Sequence, residues 1–320
     1  MLCEYPSVPF PRPTVLTERE WPLVHGEQRA VVNARGGALR SYRVGSAQVI
    51  DGWADQELPP AFNGAVLAPW PNRIRDGRWQ IAGTEQQLPI NEVDRQTALH
   101  GLVMWADWQL IRHRAASISL GCRVAAQPGY PFELQLGVSW TLTDEGLRCD
   151  LAADNVGGQP APFGIATHPF FGFADHRVDE LTLTLPARRQ LRTDDRLLPI
   201  ELVDADERFR TGRSLAGVEL DTAFTDLEWD SDGRCRLRLA AGTGTASESA
   251  SLTIWADDSF RWWQVYTGDR FPAGDDRIRR SMAIEAMTCG PDAFNTGQDV
   301  IMLAPGDGWR GSWGVTRAQG

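Results

Sequence analysis

Between Phe132 and Leu142 the chain reads FELQLGVSWTL, with Phe132, Leu134, Leu136, Val138, Trp140 and Leu142 at every second position. Only an extended strand gathers residues i, i+2 and i+4 on one side, so this segment is a long strand with one face buried. The same alternation returns in SISLGCRV (Ile118, Leu120, Cys122, Val124), in LTLTL from Leu181, in RCRLRL from Arg234 and in SLTIW from Ser251. No stretch carries a comparable helical stripe. Short strands broken by Gly, Pro, Asn and Asp from about Gln28 to Val315 predict antiparallel sheets packed face to face, an all-β sandwich.

A chain of 320 residues is long enough for two domains, although large β-sandwiches often run to this length as one unit. Two stretches interrupt the strand rhythm: a start rich in proline (Pro6, Pro9, Pro11, Pro13) and the small-residue run GTGTASESAS from Gly242 to Ser251. The second lies between two strand patterns and reads as a hairpin connection rather than a linker. One domain over 1–320 is therefore expected, with 1–25 as an N-terminal extension. The 32 basic residues, all arginine, are outnumbered by 42 acidic ones, leaving a net charge of −10. A polyanion meets net repulsion, so nucleic acid is not an expected partner. Without lysine, Schiff-base, P-loop and lysine-base chemistries are excluded.

The five cysteines (Cys3, Cys122, Cys149, Cys235, Cys289) are odd in number, scattered, and form no C-x-x-C pair. They point to buried thiols in a reducing compartment. MLCEYPSVPFPRP lacks a charged segment followed by an apolar one, and no apolar run reaches about 18 residues. The expectation is a soluble, cytoplasmic protein with no membrane contact. Thirteen tryptophans offer flat faces that either stack on sugar C–H groups or fill a core, the commoner use.

Three places could carry chemistry. His100 in ALHG and His168 in GIATHPFFGF each sit beside turn residues. Pro169 biases His168 toward extended backbone, and Phe170 and Phe171 supply an apolar wall. Such a wall depresses an unpaired imidazole's pKa, and a nearby carboxylate raises it. A packed core histidine fits that segment equally. His25, His113 and His176 lie in polar stretches and read as exposed.

Glu285 interrupts the apolar run MAIEAM, and a charge in so apolar a strand needs a partner or a purpose. It could pair with Arg279 or Arg280, or face outward on an edge strand. Alternatively it is a partly desolvated base with a raised pKa. In APWPNRIRDGRW, Pro69, Pro71 and Gly77 bracket Asn72, Arg73 and Arg75, and Arg73 offers a fork of donors to hydroxyl oxygens. Asp221 in ELDTAFTDL offers the complementary acceptor. No H-E-x-x-H, paired cysteine spacing or G-x-S-x-G occurs, so neither a metal site nor a serine nucleophile is expected. The lone G-x-G of Gly242 and Gly244 lacks the strand-loop-helix setting of a dinucleotide site.

Taken together, NGAVLAPWPNRIRDGRW, ALHGLVMWADWQL, FGIATHPFFGF and AIEAMTCGPDAFNTGQDVIMLAPGDGW resemble the aldose 1-epimerase (mutarotase) family in order and spacing, from about Asn33 to Val315. The resemblance implies a large antiparallel β-sandwich with a sugar cleft on one concave sheet. It implies Glu285 as general base, His168 as general acid, and His100 as a hydrogen-bonding group near the ring oxygen. It further implies Arg73, with Asn72 beside it, and Asp221 as binders of ring hydroxyls. The family often has proline after the base glutamate, where this chain has Ala286. WWQVYTGD resembles the strand preceding that region, in which an aromatic could line the cleft.

These residue types suit the reaction. A hemiacetal opens when the anomeric hydroxyl loses a proton while the ring oxygen gains one, which needs a base and an acid on either side of one C–O bond. Opposite charges on Glu285 and His168 would keep both ionised near neutral pH. The expected partner is a small-molecule sugar, with no cofactor or metal, on a monomer or homodimer. The alternatives are a hexose-6-phosphate 1-epimerase, a non-catalytic sugar-binding module of the same fold, and a glycosidase using Glu285 with Asp221.

Overall fold

Strand alternation sets the architecture. Leu134–Thr143 buries every second residue and pairs antiparallel with Ser117–Val124 on one side and Gly146–Asn155 on the other. The computed structural model describes residues 19–54, 58–241, 250–271 and 275–318. The proline-rich start, Cys3 and most of GTGTASESAS, including Gly242 and Gly244, lie outside the described residues.

Two large antiparallel sheets form the body, one of twelve strands and one of nine among the described residues. Across the first the order runs Glu20–His25, Gln28–Asn33, Leu39–Val44, Ala47–Ile50, Phe170–Phe171, Met282–Met287, Trp262–Tyr266, Asp221–Leu227, Ala187–Thr193, Pro199–Asp204. The second places Gly308–Ala318 between Gly146–Asn155 and Ser251–Asp257. Glu20–His25, which falls inside the segment read as an N-terminal extension, is an edge strand of the first sheet. Its alternation of Trp21 and Leu23 with exposed residues is too short to stand out beside the neighbouring turn.

Between the sheets lies the core. Trp140 and Trp313, both on the second sheet, meet edge to face at 5.8 Å, and Trp140 donates its indole N–H to the Gly37 carbonyl beneath the first sheet at 3.0 Å. Trp263 reaches from the first sheet to the Cys235 sulfur on the second at 3.4 Å. Its neighbour Trp262 points the other way, into a second buried cluster with Leu67, Ala166 and Met287, and donates to Asp299 at 2.8 Å. Both are fully buried, so neither presents a face to a ligand. Cys149, Cys235 and Cys289 are buried, whereas Cys122 is half-buried because the adjacent edge strand ends opposite Gly121. Among the described residues no helix is long and apolar enough to cross a membrane.

Candidate active site

Neighbouring strands in the middle of the first sheet place the polar side chains. Glu285 sits directly across from Gln264, and Asp221 directly across from Tyr266, so the period-two rule puts all four on one face. That face looks away from the core occupied by Trp263 and Val265. On the other flank the chain runs Ala166–Thr167, then His168–Pro169, then Phe170–Phe171, with Ala166 paired to Met287 and Phe170 to Ala283. Pro169 interrupts the ladder, and His168 bonds instead to the opposite segment: its N–H donates to Ala65 at 3.1 Å and its carbonyl accepts from Gly64 at 2.8 Å. The imidazole is thereby set beside Glu285, with Nε2 3.4 Å from Oε1.

A separate two-stranded sheet of Arg73–Arg75 and Thr97–Leu99 contributes Arg73 and Leu99 to the cavity wall. His100 follows it in left-handed conformation (φ 63°), and Gly101 continues at φ 78°. A Cβ at Gly101 would stand 2.1 Å from the Ala68 carbonyl oxygen, so only glycine fits. His100 Nδ1 accepts the Asn72 backbone N–H at 3.2 Å, which leaves the proton of a neutral ring on Nε2 as a donor. The two imidazoles meet edge to face at 5.2 Å, and Phe62 packs on His100 at 4.9 Å. Asp292 ties the C-terminal CGPDAF segment to the first of these strands: its N–H donates to the Arg73 carbonyl at 2.7 Å and its carboxylate accepts the Arg75 N–H at 2.9 Å.

Arg73 is held on both sides. Nε and Nη2 bond the two oxygens of Glu92 at 2.8 and 3.0 Å, and Nη2 stands 3.7 Å from Asp221. Glu92 is itself fixed by Thr97 at 2.6 Å and Arg95 at 3.0 Å. Gln264 donates Nε2 to Asp221 at 2.6 Å. Glu92 and Gln264 were not singled out from sequence. Gln264 breaks the apolar run WWQVY as Glu285 breaks MAIEAM, a signal open to the same reasoning, whereas NEVDRQ offers nothing to distinguish Glu92 from a solvated acid. Asn72 turns its side-chain carbonyl to Arg73 (2.9 Å to the backbone N–H), so it steadies the arginine.

The structure thus brings Glu285, His168, His100, Arg73, Asp221 and Asn72 around one cavity of about 190 Å³, with Gln264 and Glu92 among its other walls. A larger depression of 590 Å³ over the first four strands has no histidine in its lining, and its one carboxylate, Asp51, is committed to Arg280 at 2.8 Å and Ser281 at 2.9 Å. Glu285 neither faces outward nor pairs with Arg279 or Arg280. It lies on a central strand, 1% exposed, while Arg279 bonds Asp179 and Asp269 and Arg280 bonds Asp51 and Asp276. Of the remaining histidines, His113 is exposed, while His25 and His176 are half-buried.

Burial governs the charge states. It pushes the Glu285 carboxyl well above the carboxylate range, the Asp221 charge adds to this, and Arg73 opposes it. Burial also lowers His168 to about 4, its own backbone opposes, and Arg73 assists. His100 is pushed well below the usual range by burial, then by His168 and Arg73. Mutual support of two full charges, expected from sequence, is therefore opposed by desolvation, which favours the uncharged form of both the carboxyl and the imidazole. Asp221 is raised by burial against Arg73 and the Gln264 hydrogen bond. Burial alone would raise Glu92, but its hydrogen bond and charge contact with Arg73 bring it below the usual range.

Three buried polar atoms of this cavity, Glu285 Oε2, Gln264 Oε1 and His168 Nδ1, have no hydrogen-bond partner among the described residues. Buried polar atoms are normally paired, so these three match a ligand whose hydroxyl groups can both donate and accept.

A family model described as aldose 1-epimerase matches residues 20–316. Over 291 residues the chain is 32% identical to the uncharacterized protein YihR of Escherichia coli (strain K12), covering 89% of this chain and 88% of that one. It is 29% identical over 178 residues to the galactose mutarotase of Rattus norvegicus, covering 54% of this chain and 50% of the rat protein. In fold it is similar to the GalM/aldose epimerase homologue of C. elegans, with a TM-score of 0.81 at 19% identity over 94% of this chain and 98% of that one. A galactose 1-epimerase of Lactobacillus acidophilus gives 0.77 at 19% identity, covering 93% and 94%.

Proposed function

The chain belongs to the aldose 1-epimerase family, carbohydrate-acting isomerases, and on that premise we propose that it interconverts the α and β anomers of a free aldose by proton transfer through Glu285 and His168. The observation that carries this reading is the 3.4 Å approach of a buried carboxyl and a buried imidazole, each with an unpaired polar atom in the cavity.

Moving one proton from Glu285 to His168 converts the neutral pair into carboxylate and imidazolium without exchange with solvent. In that form Glu285 takes the proton of the anomeric hydroxyl, the C1–O1 bond becomes a carbonyl, and the bond from C1 to the ring oxygen breaks. His168 gives its proton to the departing ring oxygen. The two charges vanish as the ring opens, so the low-dielectric surroundings that favour the neutral pair favour the open-chain aldehyde state of the site. Rotation about C1–C2 presents the other carbonyl face, and the same transfers in reverse close the ring to the other anomer.

His100 Nε2–H is the donor suited to the ring oxygen as charge develops there. Arg73, held by Glu92, and Asp221, held by Gln264, are a donor and an acceptor fixed before the sugar arrives, so little ordering is left to binding. Asp221 is the carboxylate a glycosidase would need as partner, but one oxygen is taken by Gln264 and the other stands beside Arg73, which suits it to hold a hydroxyl.

Exchange spectroscopy by NMR on equilibrated aldoses, with polarimetry on freshly dissolved α-D-glucose and α-D-galactose, tests the proposal. The expected result is anomer exchange faster than in buffer for at least one aldose. A broad panel of aldoses all exchanging at the buffer rate would sink it.

A further inference from the structure

The same cleft has a cationic end that the proton chemistry does not use. Its walls include three arginines, Arg73, Arg95 and Arg270, and the carboxyls Glu92, Asp221 and Glu285. Glu92 is shared by Arg73 and Arg95, and Asp221 faces Arg73 at 3.7 Å. The Arg270 side chain has no hydrogen bond or ion pair to any described residue, and only its backbone N–H is engaged, by the Tyr266 hydroxyl at 2.7 Å. The neighbouring Asp269, the obvious partner, is committed to Arg279 and Thr267. A solvated arginine is ordinary on an exposed strand, but this one lines the cavity that holds His168 and Glu285.

Tyr266 follows Gln264 by two residues on the same face, which sets it ~6.5 Å along the strand from the level of Glu285. Accepting from Arg270 leaves the Tyr266 hydroxyl proton free to be donated. The Arg95 charge acts on both Tyr266 and Asp221, so it belongs to this same end. Two guanidinium groups and a phenol donor therefore line the same cavity as the carboxyl proposed to act at the anomeric oxygen, with Tyr266 two residues along the strand from its level. Three arginines and three carboxyls line the cavity of a chain whose net charge is −10, and Arg270 is the arginine among them with no carboxylate partner among the described residues.

We propose that Arg270, with Arg95 and the Tyr266 hydroxyl, forms a subsite for an anionic group on the exocyclic carbon of the aldose, so that the preferred substrate is an acidic sugar rather than a neutral hexose. Phosphate, sulfate or sulfonate, and carboxylate share the needed chemistry: negatively charged oxygens that accept from guanidinium N–H groups. This assignment rests on the anomer-exchange reading above.

Exchange spectroscopy on the intact protein compares glucose with glucose 6-sulfate, glucose 6-phosphate and glucuronate, each corrected for its uncatalysed rate. At least one anionic sugar is expected to exceed glucose in kcat/KM by about tenfold or more, the size of charge-assisted hydrogen bonds, and added salt is expected to erode that preference. Arg270→Gln should reduce kcat/KM for that sugar by a larger factor than for glucose, and Arg270→Lys should restore part of the difference. Glucose handled as well as all three anionic sugars, or an Arg270→Gln change that lowers both kinds of substrate equally, would overturn the subsite while leaving anomer exchange standing. Buffer-rate exchange for every sugar, neutral and charged, would instead remove the reading on which it rests.

Discussion

Replacing Glu285 by glutamine separates catalysis from architecture, because the two roles predict opposite changes in stability. The amide would keep the shape and the central-strand position while losing the ability to hold or release a proton. As a proton carrier Glu285 is worth roughly 10²–10⁴ in rate, so kcat should fall by that factor. Stability follows from the raised carboxyl. Above its unfolded pKa of about 4.5 the native state keeps a proton that the unfolded chain has lost, so the native state binds more protons and wild-type stability falls with rising pH, by at most about 1.4 kcal/mol per unit. That loss continues until the pH passes the raised native value.

His168 has the opposite slope: lowered to about 4, it makes stability rise with pH between there and about 6.5, and it does so in both proteins. In the difference between variant and wild type only the Glu285 contribution remains. Glu285→Gln should therefore be nearly as stable as wild type at pH 4.5 and progressively more stable than it at pH 6, 7 and 8. Urea unfolding at these values, with anomer exchange measured on the same samples, reads both quantities. A variant that is less stable by a constant amount at every pH, with activity lost only in proportion to the unfolded fraction, would show Glu285 to be a structural group and refute the reasoning.

The proposed acid–base pair also fixes a pH profile: activity should hold wherever the pair carries one proton, falling on the acid side as His168 gains a second near 4, and on the alkaline side well above the ordinary carboxylate range as the Glu285 proton leaves. An acid limb at pH 6 to 7 in kcat/KM would contradict it. Glu92→Gln removes one of the two charge-assisted bonds that orient Arg73 and should raise KM about tenfold with a smaller change in kcat; a fall in kcat alone would mean that Glu92 serves another purpose. Gly101→Ala places a methyl 2.1 Å from the Ala68 oxygen at a left-handed position and should cost about 2–4 kcal/mol in urea unfolding, with His100 displaced and activity reduced even at temperatures where the variant stays folded. Wild-type stability and activity in that variant would contradict the close backbone approach.

Sequence carried the strands well because burial of one face is written locally: the alternation from Leu134 to Thr143 is the buried pattern itself. The charged residue in MAIEAM and the turn chemistry around His100 and His168 were equally local, and these positions converge on one cavity. What could not be read is what depends on partners distant in the chain. Whether Glu285 paired with Arg279 was decided by Asp179 and Asp269, which take that arginine. Glu92 gained its meaning from the pairing of Arg73–Arg75 with Thr97–Leu99, and the charge state of His168 from the depth of burial rather than from its neighbours in sequence.

The cross-strand seat of Glu285 opposite Gln264 anchors the proposed chemistry to the core. Both residues alternate with side chains committed to the opposite layer, Trp263, Val265 and Ala286 among them, so neither can be shifted without unpacking the body of the molecule. Phe62, Arg95 and Arg270, by contrast, hang from connecting segments around the rim. A protein engineer, or natural drift, can thus retune which ligand is admitted by rewriting the rim while the proposed proton relay beneath it stays untouched.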